Sequence, residues 1–519
     1  MTFRPASQFN IADYFLDRRV EEGLGDTVAI RTDQGTLTYG EVQHLANRFG
    51  QALSRKGVRR EERVLIALRD TPDYVGALFG ILKLGAVAVM VNPDLEPANL
   101  TALLDSSRAT CAIVDRSVLG SFEAAVRAAA QRPAMLVAGS DAVDPDEPDS
   151  FEALAADLDG DLTTASTHPD DPAIWLFSGG TTGRPKAVVQ THRSFANTTE
   201  CYAKRALGLS AADITISVPK LFFGYATGSN LMFPFAVGGS TILFPEKPTA
   251  EILFEKIRRH RPTVLINVPT MINQMVNHVD ARSQDFTSLR FATSAGEALP
   301  IPLHERWNET FGTELLDGLG TAEMWHIFLS NVPGSVRPGT LGRVVPGFEI
   351  KVCDPEGVPV PDGEVGRLWV KGDSRAIGYW QDSAQTAAAF QGPWFVGGDL
   401  VRRDPDGYVT YCGRGDDVLK VGGKWLAPQE VESCLMEHPA VLECAVIGVS
   451  DENGLTKPYA FVISKEDSGD LEDQLKSFVL ANLQPYKHPR RVLVLDVLPR
   501  THLGKIDRAA LKRLARETV

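Results

Sequence analysis

Cysteine is scarce in this chain, and what there is forms no metal-site pattern. The six cysteines (Cys111, Cys201, Cys353, Cys412, Cys434 and Cys444) include no CxxC pair, so they read as unpaired thiols of an intracellular protein. Excess positive charge is also missing. Fifty-three Lys and Arg face 66 Asp and Glu, a net charge of −13, which excludes a general nucleic-acid binder because that needs a basic surface. Any anionic ligand must then be met by a few local cations. The opening MTFRPASQFNIADYF lacks a basic segment followed by an apolar core, so the expectation is a cytoplasmic protein without a secretory signal. No clean membrane-spanning run is present either. The stretch 75–91 is interrupted by Lys83, and 221–244 carries no charge but contains Asn230, Pro234 and several glycines. The second stretch suits turns and buried strands better than a lipid-spanning helix.

What is present is ordinary globular material. Apolar residues make up 44% and charged residues 23%, so wholesale disorder is excluded. A chain of 519 residues corresponds to two to four units at roughly 100–200 residues per domain. Short apolar runs at 64–68, 86–91, 111–115, 134–138, 263–268 and 289–294 alternate with helical patterns at 39–56, 71–84, 250–260 and 270–279. That alternation predicts an α/β fold with layered, mainly parallel sheets. The acidic stretch 140–171 reads as a solvated connector. From about 335 the texture changes to short strands with Gly and Pro turns, a β-rich subdomain. After 413–417 comes a helix at 428–437, strands at 443–449 and 457–464, a helix at 471–482, a strand at 491–495 and a helix at 507–517. The predicted division is a large region, 1–415, and a small mobile α+β domain, 416–519.

The most informative segment is FSGGTTGRPKAVVQTH, 177–192. Gly179, Gly180 and Gly183 let backbone N–H groups approach a ligand, Ser178, Thr181 and Thr182 add hydroxyls, and Lys186 adds a positive charge. Together they make a phosphate cradle. It is not a Walker A loop, because Pro185 separates Arg184 from Lys186. His192, just downstream, is left open between a structural and a site role.

SGGTTGRPK resembles the signature of the adenylate-forming superfamily of acyl-CoA ligases, peptide-synthetase adenylation domains and firefly luciferase. Four further segments agree in order: SAGEALP (294–300), DGLGTAEM (317–324), WFVGGDL (394–400) with GRGDDVLKVGGKWLAPQEVE (413–432), and LPRTHLGKIDR (498–508). The resemblance implies an enzyme using ATP and Mg²⁺. It implies that Ser178, Gly179, Gly180, Thr181, Thr182, Gly183 and Lys186 hold the β- and γ-phosphates. Ala295, Gly296, Glu297, Asp317 and Gly318 would form the adenine slot, with Thr321 beside the nucleotide. Glu323, with Thr182, would bind Mg²⁺, which prefers oxygen ligands. Asp399 would accept the ribose hydroxyls, Arg414 would support ribose or phosphate, Asp416 would be the hinge, and Lys505 would reach the α-phosphate and the carboxylate. The chain departs from the family pattern at Gly179, Ala187, Ala322 and Gly397; at 179, 322 and 397 a hydroxyl is lost, at no point a charged group.

Within the superfamily the resemblance is strongest to benzoate-CoA ligases and related aryl-CoA ligases, carried by KLFFGYATGSNLMFPFAVGGS (220–240) and EMWHIFLSN (323–331). It implies an acyl pocket of Phe223, Gly224, Tyr225, Gly320, Trp325, His326 and Ile327, which suits a planar ring. The expected partners are a small aromatic acid, ATP, and CoA or a carrier-protein phosphopantetheine. Another nucleophile, or a non-catalytic relative binding an aryl acid or AMP, are the alternatives. Lys420, Gly422, Gly423 and Lys424 lie where the thiol would enter; the two lysines could meet CoA phosphates or stay solvated. No nucleic acid or membrane is expected, and the oligomeric state, a homodimer included, is left open.

Overall fold

A computed structural model describes residues 4–139, 149–178, 186–415, 417–421, 424–450, 455–465, 469–500 and 506–518. Two large sheets organise the chain up to about residue 345, one of them taking its edge strand from later in the chain. One runs in the order Gly378–Tyr379, Lys186–Thr191, Pro172–Ser178, Val87–Met90, Arg63–Ala67, Cys111–Asp115 and Ala134–Ala138. Its inner strands are parallel, and Pro172–Ser178 turns back antiparallel onto Lys186–Thr191. The other contains the parallel set Ser240–Ile242, Ile214–Ser217, Val264–Asn267, Phe291–Ser294 and Leu315–Thr321, continued by antiparallel His326–Ser330. The β-branched, doubly buried strands and the helices between them are the pattern that parallel sheets demand.

One apolar core joins both sheets through helices Tyr39–Arg55 and Pro72–Lys83. Tyr39–Arg55 starts where Thr38 and Glu41 exchange capping hydrogen bonds. The two helices touch backbone to backbone. A Cβ at Gly80 would sit 2.7 Å from the Ala46 carbonyl oxygen and 2.8 Å from Gly50 N, so glycine there is a packing requirement.

The segment 221–244 departs from the sequence expectation. It is helical over Gly224–Ala236, with a π-type turn at Gly228–Met232, and only Ser240–Ile242 is a strand. Glycine, Asn230 and Pro234 signalled turns. Pro234 lacks the N–H that would pair with the Asn230 carbonyl, and the Thr241 hydroxyl donates to that carbonyl instead. Tertiary packing thus repairs a helix that local preference disfavours.

The connector expectation for 140–171 also needs correction; 140–148 lie outside the described residues, and the remainder is docked. Ser150 caps the short helix Phe151–Ala155, and Phe151 stacks on Phe49 with ring centroids 3.6 Å apart. The Thr167 hydroxyl donates to the Phe9 carbonyl at 2.7 Å. Phe151 and Ala155 are buried in the core.

From 349 to 414 an antiparallel sheet pairs Glu349–Cys353, Val365–Lys371, Trp394–Arg403 and Val409–Arg414. Beyond it, Leu419 to Val492 build a core of their own around strands Val441–Ser450, Thr456–Ser464 and Arg491–Val494. Helices Pro428–Met436, Leu471–Asn482 and Arg508–Thr518 accompany them. No helix among the described residues is long and apolar enough to cross a membrane.

Candidate active site

The phosphate segment is a β-hairpin whose tip, Gly179 to Gly183 with Arg184 and Pro185, lies outside the described residues. Its stems are pinned: Ser178 pairs with Lys186 in register. The Lys186 ammonium stands 5.2 Å from the ring centroid of Tyr379. Glu323 belongs to the 3₁₀ turn Ala322–Met324, held by the Thr321 hydroxyl, which accepts from Met324 N at 3.3 Å. Gln190 Nε2 donates to the Ala322 carbonyl at 2.6 Å. The Tyr379 hydroxyl donates to Glu323 Oε1 at 2.8 Å. Tyr379 thus touches two of the residues that the sequence singled out, Lys186 for the phosphates and Glu323 for the metal.

Two neighbouring parallel strands, Phe291–Ser294 and Leu315–Thr321, place Asp317 beside Ser294. Ala295 is buried behind them, and Gly296 turns with φ +88°. A Cβ at Gly318 would lie 2.7 Å from the Leu329 carbonyl, so Gly318 leaves a flat backbone surface. Burial pushes the Asp317 carboxyl up to about 8, so it is protonated at neutral pH, and Oδ1 has no hydrogen-bond partner among the described residues. Glu297 is already engaged: it accepts from Thr270 N at 3.1 Å and Thr270 Oγ1 at 2.7 Å, so its backbone is the part left for a flat ligand.

Asp399 and Arg414 face each other across strands Trp394–Arg403 and Val409–Arg414. The Tyr411 hydroxyl donates to Asp399 Oδ1 at 3.2 Å. A Cβ at Gly398 would lie 2.9 Å from Arg414 Nη2, and one at Gly397 would lie 3.5 Å from Asp399 Oδ2. The hydroxyl missing at 397 would therefore have sat against Asp399.

Of the residues expected to form the acyl pocket, Gly224, Tyr225, Gly320, Trp325, His326 and Ile327 gather around one turn. Trp325 and His326 follow Glu323 after one residue, Met324, and adopt φ of +36° and +92°, a conformation that non-glycine residues hold only under strong packing. The packing is there: Trp325 is fully buried, 4.0 Å from the Phe195 ring centroid. His326 Nε2 lies 2.9 Å from Ser229 Oγ and 3.0 Å from the Tyr225 carbonyl. Burial drives His326 down to about 3, so the ring is neutral, and Nε2 must carry the proton to serve that carbonyl. The Tyr225 hydroxyl is paired with Thr293 Oγ1 at 2.6 Å. The Tyr225 hydroxyl and His326 Nε2 are thus taken, whereas His326 Nδ1 and Trp325 Nε1 have no hydrogen-bond partner among the described residues. A Cβ at Gly224 would lie 3.0 Å from Leu176 Cδ1 and 3.7 Å from Trp325 Cδ1, so glycine lets the backbone at 224 pass close to both. Phe223 packs on Phe222. Ile327 is buried beside Gly318, and Gly320 is required by the hairpin, since a Cβ there would meet the His326 carbonyl at 2.2 Å.

On the C-terminal side, Asp416, Gly422, Gly423 and Lys505 lie outside the described residues. Lys420 and Lys424 are exposed on the paired strands Leu419–Val421 and Lys424–Leu426, and Lys424 stands 5.0 Å over the Tyr486 ring. Arg500 pairs with Glu443 at 2.6 Å and donates to Thr270 Oγ1 at 3.3 Å; Thr270 in turn holds Glu297. Asn273 donates to the Leu442 carbonyl at 3.0 Å. His192 is structural: its Nδ1 accepts from Ile11 N at 3.2 Å, and burial lowers it to about 4. Sequence reasoning missed Tyr379, Gln190, Thr270 and Arg500. Only Arg500 carried a signal, its place in LPRTHLGKIDR.

Among the described residues no cluster of three or more His, Cys, Asp or Glu could hold a metal ion. A single carboxylate, Glu323, fits Mg²⁺ bound jointly with nucleotide phosphates, the usual mode of that ion.

The AMP-binding enzyme family model matches residues 16–380, and the AMP-binding enzyme C-terminal domain model matches 430–505. Benzoate–CoA ligase of Thauera aromatica is 39% identical over 510 residues, 97% of this chain and 96% of that one. The crystal structure of the anthranilate CoA ligase AuaEII in complex with anthranoyl-AMP superposes with a TM-score of 0.94 at 36% identity, covering 99% of each chain. A benzoate CoA ligase from Burkholderia xenovorans LB400 superposes with a TM-score of 0.89 at 41% identity, covering 97% of this chain and 100% of that one.

Proposed function

The chain belongs to the AMP-binding enzyme family, and from that premise we propose that it activates a benzoate-type acid with ATP and passes the acyl group to CoA. A carboxylate is a poor acyl donor because oxide would have to leave. Its attack on the α-phosphorus of ATP forms acyl-AMP and releases pyrophosphate; a thiolate then attacks the acyl carbon and AMP leaves. Both steps gather negative charge, so catalysis rests on positioning and electrostatic stabilisation.

One observation carries this reading. The single turn Thr321–Trp325 presents Glu323 to the Tyr379 hydroxyl, whose ring lies under Lys186, and sets Trp325 beside Gly224. Nucleotide and ring are thereby held to one rigid element. Ser178 to Lys186 hold the β- and γ-phosphates, and Glu323, with Thr182, holds Mg²⁺, which when bound neutralises phosphate charge. The backbone of Ala295 to Glu297, with Asp317, Gly318 and Thr321, takes the adenine; Asp399 and Arg414 take the ribose. Phe223, Gly224, Tyr225, Gly320, Trp325, His326 and Ile327 surround the ring. Lys505 approaches the α-phosphate from a small domain, 416–519, that turns about Asp416, and Lys420 to Lys424 line the thiol's approach. The six cysteines are free thiols, which supports a cytoplasmic setting.

Mass spectrometry of a mixture of protein, ATP, Mg²⁺ and benzoate tests the reading. A benzoyl-AMP peak that converts to benzoyl-CoA on adding CoA is expected. Adenylate that accumulates unchanged with CoA but is consumed by a phosphopantetheinylated carrier protein would reassign the acceptor. No adenylate from any benzoate would overturn the function.

A further inference from the structure

We propose that Tyr379 is a positioning residue that ties the lysine closing the phosphate hairpin to the carboxylate facing the metal. It rests on the reading that Glu323 holds Mg²⁺. Tyr379 lies on the two-residue strand Gly378–Tyr379, which pairs antiparallel with the strand leaving the phosphate hairpin; its direct partner is Val188, two residues after Lys186. From there its phenol reaches two ways. The hydroxyl donates to Glu323 Oε1 at 2.8 Å, and the ring lies under the Lys186 ammonium, 5.2 Å from its centroid. Glu323 Oε2 makes no hydrogen bond among the described residues, so it is the oxygen left to face a cation.

The two contacts are chemically separable. A hydrogen bond to one carboxylate oxygen fixes the rotation of the group and aims the other, and outer partners of metal ligands typically change metal affinity by about 10–100-fold. The ring face attracts an ammonium without bonding it, so Lys186 stays poised for phosphate. The backbone of this segment is held independently of the phenol. Ile377 N and Trp380 N donate to the carbonyls of Val189 and Ala187 at 3.0 and 2.9 Å, Ala376 N donates to the Glu323 carbonyl at 2.7 Å, and Tyr379 N donates to Thr386 Oγ1 at 3.0 Å. Removing the hydroxyl therefore leaves the strand, the turn and the hairpin stem in place.

The test is calorimetric ATP binding, without acid substrate, as a function of Mg²⁺ and in EDTA, for wild type, Tyr379→Phe, Tyr379→Leu and Glu323→Gln. Tyr379→Phe should raise the Mg²⁺ concentration for half-maximal binding about tenfold and leave metal-free ATP binding unchanged, since the ring remains. Tyr379→Leu should in addition weaken metal-free ATP binding by about 2–5-fold, the scale of an exposed cation–π contact. In turnover, the KM for benzoate should stay at the wild-type value in Tyr379→Phe while the Mg²⁺ requirement rises, a split that a general loosening of the fold would not give. Wild-type metal dependence in Tyr379→Phe, with a clear shift in Glu323→Gln, overturns the proposal and spares the Glu323 reading. No shift in Glu323→Gln overturns both.

Discussion

Gly224→Leu is the perturbation that most sharply examines the acyl slot. A Cβ at 224 would stand 3.0 Å from Leu176 Cδ1, 3.4 Å from Leu176 Cδ2 and 3.7 Å from Trp325 Cδ1. The first methyl thus uses up the free distance. Leu176 can turn its flexible end aside, but Trp325 is fully buried between Phe195 and Phe233 and has nowhere to go. The three further carbons of leucine must occupy the space assigned to the aromatic ring. One or a few methylenes misfitted in an apolar pocket change kcat/KM by about 1–3 kcal/mol, so benzoate turnover should fall by about 5–150-fold. Gly224→Ala should lie between wild type and leucine. The assay is steady-state pyrophosphate release with benzoate varied at saturating ATP, then ATP varied at saturating benzoate. The KM for ATP should not move, because Lys186, Asp399 and Arg414 lie on other elements. Overpacking can cost stability by about 1–3 kcal/mol, so thermal unfolding is recorded beside it. A folded Gly224→Leu protein with wild-type kcat/KM for benzoate would refute the slot.

Lys505→Ala should abolish adenylation while sparing thioester formation from preformed acyl-AMP, measured as two separate half-reactions; equal loss of both would remove the assigned role. Asp416→Pro should leave one half-reaction and slow the other at least about tenfold, because proline fixes φ at a hinge that must change it; wild-type rates in both would place the hinge elsewhere. Asp317 holds its proton in the folded state up to about 8, against 3.8 for the unperturbed group. Between those values the folded state binds more protons than the unfolded chain, so stability falls as pH rises through that window, by at most about 1.4 kcal/mol per pH unit. Asp317→Asn should flatten that decline in thermal unfolding followed from pH 5 to 8; an unchanged slope would assign the buried acid no such linkage.

Much of the fold was legible because periodicity and capping agree with tertiary packing. Tyr39–Arg55 and Leu471–Asn482 follow their apolar spacing, and Arg63–Ala67 and Cys111–Asp115 follow their β-branched runs. The segment 221–244 was not, because its helical part, Gly224–Ala236, depends on Thr241 of the following strand to satisfy the carbonyl that Pro234 leaves free. The site divides along the same line. Lys186, Glu323, Asp399 and Arg414 stand in recognisable strings, whereas Tyr379 acts from a two-residue strand that gains meaning only by pairing with Lys186–Thr191. Likewise, nothing in the string EMWH at 323–326 discloses left-handed backbone at Trp325 and His326, or that the Tyr225 hydroxyl and His326 Nε2 are already paired within the protein.

Pyrophosphate release with a panel of acids, with and without CoA, tests the central claim most directly. Benzoate or a hydroxy- or aminobenzoate should be activated with a higher kcat/KM than hexanoate or any α-amino acid, and CoA should convert the adenylate to a thioester. Hexanoate activated better than every benzoate tested would contradict the account.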